Sequence, residues 1–188
     1  DTVIDKDALF EMIKLAESHE EAGVIGPKFY NYEKPNTVQG LGSNKIIWPC
    51  RQPDNHVIKT EEYIEFKWLC TSSLLVKRKG LEEIGLLDEK YFYYWEDVDW
   101  CIRARRRGWK LYCALKSAVW HKLGTSTGSK RINKYFLGIK STRLAWEGFR
   151  IPAYYDSRNS LYCIKKHYPQ YFMMYLIYTT LMRIIRIL

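Results

Sequence analysis

The sequence predicts a mixed α/β fold. Apolar residues recur at helical spacing at Leu9, Met12, Ile13 and Ala16, a buried-strand pattern runs over 24–30, and helix and strand signals keep alternating as far as Trp120. With 188 residues, 47% of them hydrophobic and 15% aromatic, the chain can bury a core of its own. Only eleven glycines and six prolines are present, which excludes collagen-like and low-complexity classes, and the apolar content excludes disorder.

The first helix begins behind the caps Asp5 and Asp7, with Gly23 as its stop signal. After the strand over 24–30, the Pro, Asn and Gly residues of 31–44 read as a loop or hairpin leading into a short run at 46–48. Residues 66–76, apolar with β-branched and aromatic members, read as a central strand, followed by a short helix over 77–85 and a loop over 88–95. Residues 98–107 form a helix with Val98, Cys101 and Ile102 on one face and Gly108 at its C′ position. A strand over 109–120 follows, with His121 just past its end. The Gly-, Ser-, Thr- and Lys-rich stretch 122–131 reads as a mobile loop.

Charge is divided along the chain. The formal total is +9, yet residues 1–102 carry 12 basic and 19 acidic side chains, whereas residues 103–188 carry 18 basic ones and only Glu147 and Asp156. A half this basic points to an anionic partner: nucleic acid, a membrane surface or a phosphate-bearing substrate. Nucleic acid finds little support, because no RNP-like, helix-turn-helix or zinc spacing is present. Five cysteines without C-x-x-C spacing point to a reducing compartment. Asp1 in place of an initiator Met suggests a processed product or a fragment.

Residues 171–182 are twelve in a row without a charge, followed by Arg183 and Arg186. A bilayer span needs about 20 apolar residues, so the segment reads as a helix lying in a membrane interface with Tyr and Arg at the headgroups. A core helix docked on the domain is the alternative. The division expected is a main part over 1–150 and a C-terminal helical segment over 151–188.

The candidate chemistry lies in Tyr93-Tyr94-Trp95-Glu96-Asp97-Val98-Asp99-Trp100. Three acids opening a helix can simply cap it and complement its dipole. Aromatic flanks suggest instead a sugar-stacking wall beside a carboxylate whose partial desolvation suits it to act as a general base. Composition leaves both readings open. His121, at a strand end, has a side chain suited to a metal ion such as Mn²⁺, but a single His is weak evidence of a metal site. His19, His56 and His167 carry no assigned role.

Several strings stand in a telling order: Asp1-Thr2, Gly23-Val24-Ile25-Gly26-Pro27-Lys28, Gly85-Leu86-Leu87-Asp88, Trp95-Glu96-Asp97-Val98-Asp99, Arg103-Ala104-Arg105, Trp120-His121-Lys122 and 154–159. Together they resemble the C-terminal half of family 2 glycosyltransferases of the GT-A fold, of the rhamnosyl- and galactofuranosyl-transferring kind. The resemblance implies the C-terminal part of a Rossmann-like GT-A domain whose nucleotide-binding half precedes Asp1, so that this stretch would not turn over alone. It implies an inverting, metal-dependent transfer from a nucleotide-diphosphate sugar to a lipid-linked or polysaccharide acceptor, and the C-terminal segment points to the cytoplasmic face of the plasma membrane as the place of work.

Carried over residue by residue, the resemblance makes Asp97 the catalytic base and Glu96 a holder of acceptor or donor hydroxyls. It makes Asp1 and His121 ligands of Mg²⁺ or Mn²⁺. Thr71 and Ser72 fall where the family approaches the donor sugar, with Ser72 in place of the family's Gly. Trp95, with Tyr94, would stack on a sugar; Asp99 would cap or orient; Lys122, Lys130 and Arg131 would close over the diphosphate. A non-enzymatic basic module binding a membrane surface is the competing reading, with salt dependence as its signature. A degenerate subunit completed by a partner chain is a third, against which the retained Glu96, Asp97 and His121 argue.

Overall fold

The structure, a computed structural model, describes residues 2–44, 62–122, 129–136, 139–146 and 150–187. Its centre is a six-stranded mixed sheet. Strand β1 (Thr2–Ile4) leads into helix α1 (Ala8–Ser18), and the long strand β2 (Ala22–Asn31) turns back through β3 (Val38–Gly40). Strands β4 (Tyr63–Phe66) and β5 (Leu75–Val76) are short and are followed by helix α2 (Arg78–Ile84). Helix α3 (Glu96–Arg106) precedes the longest strand, β6 (Lys110–His121). The sheet runs β1-β6-β2-β3, with β4 on β6 and β5 on β2. Among the described strands of this sheet, β2 and β6 pair in parallel and the other pairs are antiparallel.

Alternation along these two strands builds two cores, one on each face of the sheet. Val24, Leu111, Cys113 and Leu115 face a cluster completed by Leu69, Val98, Cys101 and Ile102. Their neighbours Ile25, Tyr112 and Ala114 face Met12, Leu15 and Ala16 of α1. Leu9 and Ile13, on the same helical repeat, stay exposed. Pro27 sits inside β2, where its missing N–H would interrupt the ladder, and the β2–β6 register shifts at that point: Pro27 pairs with Ala114, but Lys28 pairs with Ala118.

Several sequence expectations are corrected. Gly23 does not end α1. It lies within β2, where the Trp109 ring leaves no room: an added Cβ would stand 2.9 Å from Trp109 Cε3. Residues 66–76 are not one central strand, because the chain leaves the sheet after Phe66, bridges from Trp68 to Ser43 and turns before β5. Its apolar character reflects burial of Trp68 and Leu69 against α3, not sheet pairing. His121 is the last residue of β6 and not beyond it. Ser129, Lys130 and Arg131 belong to strand β7 (Ser129–Phe136), which pairs with β8 (Ile139–Trp146) in a separate hairpin, because eight consecutive cross-strand pairs hold them there. The run at 46–48 lies outside the described residues.

Two helices close the chain, α4 (Arg150–His167) and α5 (Phe172–Ile187), joined through a 3-10 turn at Pro169–Tyr171. Cys163 and Ile164 of α4 are fully buried. On α5, Tyr175 is buried, while Met173, Met174, Ile177 and Leu181 are more than half exposed. Among the described residues no helix is long and apolar enough to cross a membrane.

Candidate active site

Helix α3 opens on the candidate carboxylates because the preceding chain is forced into an unusual path. A 3-10 turn at Glu89–Tyr91, capped by Asp88 through Lys90 N, leads into a segment where Phe92, Tyr94 and Trp95 all adopt positive φ, at 56°, 66° and 74°. Such conformations cost about 1–3 kcal/mol each for residues with a Cβ and persist only where surrounding contacts over-determine them. The acids Glu96, Asp97 and Asp99 occupy the first turn, the bases Arg103, Arg105 and Arg106 the last, and Gly108 closes the helix at φ 86°. This order suits the macrodipole.

Asp97 is only 7% exposed, and its Oδ1 accepts from Val98 N at 2.8 Å. Glu96 stands beside it, half-buried. One turn on, the Cys101 thiol points at Leu69 O (3.8 Å), which brings the Cys70–Ser72 turn to this part of α3; there Ser72 Oγ lies 3.2 Å from Cys70 Sγ and Thr71 is exposed. The first turn of α3 and the Thr71–Ser72 turn thus share one neighbourhood.

Two other residues expected at the site are placed differently. Trp95 is 2% exposed, with its indole in the core and Nε1 donating to Asp156 Oδ1 at 2.9 Å, so it presents no face for stacking on a sugar. Asp99 is wholly buried and its carboxylate is spent inside the protein: Oδ1 accepts from Tyr91 (3.1 Å), Lys166 (2.7 Å) and His167 (2.7 Å), and Oδ2 from Arg103 (2.8 Å). Burial alone would raise this carboxyl; the hydrogen bonds from His167, Lys166 and Arg103 override it and hold it far below the ordinary carboxylate range. Asp99 therefore orients elements and is not exposed to a ligand.

His121 occupies the carboxyl end of β6 beside its parallel partner, pairing with Asn31 of β2 and with Thr2 of β1. Ligands of open α/β sheets gather at such strand ends. Its ring is half-buried, which depresses its pKa and favours the neutral imidazole that ligates metals. The Gln39 side-chain amide of β3 lies 3.1 Å from His121 Nδ1 and fixes the ring's orientation: donation from Nε2 puts the ring hydrogen on His121 Nε2, whereas with the amide turned Oε1 accepts from Nδ1–H and leaves Nε2 unprotonated. Lys122 is exposed, its Nζ 4.3 Å from the centre of the Tyr32 ring. Asp1 lies outside the described residues, and of Arg131 only the backbone, in β7, is described.

Sequence reasoning missed the contribution of α4. Asn159 is fully buried and its Nδ2 donates to the carbonyls of Tyr91 (2.6 Å), Tyr93 (2.8 Å) and Tyr94 (2.9 Å). Arg158 donates to Lys90 O, and Lys166 bridges Asp88 and Asp99. His167, left without a role, is a buried partner of Asp99. The signal was present in the polar Asp156, Arg158, Asn159 and Lys166, spaced along a helix that also buries Cys163 and Ile164.

No family model matches the chain. Among curated proteins, it is 34% identical over 147 residues to the N-acetylglucosaminyl-diphospho-decaprenol L-rhamnosyltransferase of two Mycobacterium tuberculosis strains, covering 70% of this chain and 47% of that protein. It is 23% identical over 152 residues to a low-salt glycan biosynthesis hexosyltransferase of Haloferax volcanii, covering 77% of this chain and 48% of that protein. The chain spans about half the length of the curated relatives it matches. It is thus a homologue of glycosyltransferases, in line with the family 2 resemblance that its motifs carry.

Proposed function

We propose that this chain forms the acceptor side of a glycosyltransferase that moves a sugar from a nucleotide-diphosphate donor to a hydroxyl of a lipid-linked acceptor, with inversion. The relatives' names support a sugar transferase, and that of the mycobacterial protein a lipid-diphosphate acceptor. One observation carries the residue assignment: Asp97, nearly buried, stands in the first turn of α3 at the end of a clamped, strained segment. A carboxylate so placed is held still and partly stripped of water, as a general base must be. In this reading Asp97 takes the proton of the acceptor hydroxyl as its oxygen attacks the anomeric carbon, and Glu96 holds sugar hydroxyls. Thr71 and Ser72 flank the donor sugar.

A divalent cation, Mg²⁺ or Mn²⁺, belongs to the same reading. With the Gln39 amide turned so that Oε1 accepts from Nδ1–H, the neutral His121 imidazole at this strand end offers Nε2 as one ligand position. His121 and Asp1 would hold the ion, which when bound would neutralise charge on the departing diphosphate. Lys122 and Arg131 would add donor contacts. The exposed apolar face of α5 would rest on an anionic membrane surface, placing the protein peripherally on the cytoplasmic face, where a lipid-linked acceptor is presented.

The experiment is Asp97→Asn in the full-length protein, measured as sugar transfer and as binding of the nucleoside diphosphate. Transfer lost with binding retained supports the reading. Loss of both together, or retained transfer, refutes the base assignment.

A further inference from the structure

Asn159 lies on α4, far in sequence from the carboxylates, yet its side chain holds the segment that delivers them. All three groups facing its Nδ2 are carbonyls, which only accept, so that atom must be the nitrogen, whose two hydrogens serve three acceptors. Its Oδ1 accepts in turn from Arg158 Nη1 at 2.7 Å, and the same Nη1 donates to Lys90 O at 2.8 Å. Each of these carbonyls belongs to the peptide directly before Phe92, Tyr94 or Trp95, the three non-glycine residues with positive φ among the described residues, and Trp95 directly precedes Glu96 and Asp97. Trp95 is tied to the same helix by Asp156. Left alone, residues of this kind relax toward negative φ. Such a relaxation would rotate the first turn of α3 and shift the Asp97 carboxylate.

We infer that Asn159 is a positioning residue for Asp97: its side-chain amide pins the Tyr91–Tyr94 carbonyls and thereby fixes where the carboxylate meets the acceptor hydroxyl. This inference rests on the proposed role of Asp97. An Asn159→Asp substitution keeps the side chain's shape, removes both donors and sets a carboxylate against three carbonyls. A misplacement of about 1 Å can cost on the order of 100-fold in rate, so kcat should fall by about that factor. The donor KM should stay within about twofold, since the Asn159 amide bonds the Tyr91–Tyr94 carbonyls and Arg158, whereas the Thr71–Ser72 turn meets α3 at Cys101.

The test is a double-mutant cycle in the full-length protein, with kcat, both KM values, nucleoside diphosphate affinity and melting temperature measured for Asn159→Asp, Asp97→Asn and the pair. If Asn159 acts through Asp97, its substitution costs less than about threefold once Asp97 is already replaced, because the two losses do not add. Equal losses in both backgrounds, a kcat at the parent level, or a matching fall in nucleotide affinity would each overturn the inference. Where Asn159→Asp yields no folded protein, Arg158→Leu removes the outer support: kcat about tenfold lower with donor KM unchanged upholds the inference, and an unchanged kcat overturns it. Retained transfer in Asp97→Asn refutes the proposed base itself, an outcome distinct from an inactive Asp97→Asn accompanied by a fully active Asn159→Asp.

Discussion

His167 Nε2 lies 2.7 Å from Asp99 Oδ1, joining the last residue of α4 to the first turn of α3. A carboxylate only accepts, so Nε2 carries the hydrogen; Arg106 only donates, so Nδ1, 3.1 Å from Arg106 Nη1, accepts. The pair fixes one tautomer and locks the helix bearing Asp97 onto the helix bearing Asn159. Tyr91, Arg103 and Lys166 face the same carboxylate, and Lys166 also meets Asp88.

Removing the charge at the centre of this cluster should therefore be costly. Asp99→Asn leaves Arg103 and Lys166 facing a neutral amide, and breaking a buried ion pair by deleting one partner typically costs about 3–5 kcal/mol. Urea unfolding at neutral pH is the measurement. A change below about 1 kcal/mol would mean that the cluster is dispensable.

The same cluster sets a pH dependence. The Asp99 carboxyl lies below its ordinary range when folded, so its contribution is present above the unfolded pKa of about 4 and is lost as pH falls through the lower folded value. Burial would lower Lys166, but its hydrogen bonds with Asp88 and Asp99 raise it, so its contribution is complete below about 10.4 and is lost as pH rises through the higher folded value. The stability gap between the parent and Asp99→Asn should narrow as pH falls below about 4. A gap that does not narrow at all below about pH 4 would contradict this assignment.

At the carboxyl end of β6, His121→Ala should weaken Mn²⁺-dependent binding of a nucleoside diphosphate. Gln39→Leu should do so more mildly, by about tenfold, because losing the partner that orients a ligand typically costs 10–100-fold in metal affinity. Titration of the full-length protein with Mn²⁺, followed by electron paramagnetic resonance, reads this without turnover. Unchanged affinity in His121→Ala would remove His121 from the site.

Much of this was legible from local pattern. Helix α1, strand β2, α3 with its acids first and bases last, and β6 follow from apolar spacing and from Gly108, and the chemistry-bearing acids stand together in sequence. What stayed hidden depends on contacts between distant segments. Trp95 reads as a sugar platform until Asp156, 61 positions on, accepts its indole N–H. Asp99 reads as a cap until Lys166 and His167 reach it. Residues 66–76 read as a strand because an apolar run looks the same whether it pairs in a sheet or packs under a helix. Gly23 reads as a helix stop because Trp109, which requires its missing side chain, lies 86 positions away.

The membrane reading turns on α5. Met173, Met174, Ile177 and Leu181 share one face of α5 and are exposed, with Thr180 the exposed polar residue among them, while Tyr175 anchors the helix to the protein, so the outward side is largely apolar. Burying a Met or Ile side chain contributes about 1.5–3 kcal/mol, and about 1.4 kcal/mol is tenfold in affinity. Replacing Met173 and Ile177 together by Glu should therefore weaken binding to vesicles containing anionic lipid by well over about tenfold, and added salt should weaken the parent's binding. Transfer to a soluble acceptor analogue should be unaffected, since both side chains are exposed on a helix that packs on α4. Vesicle binding that survives the double substitution would assign this face to another part of the protein.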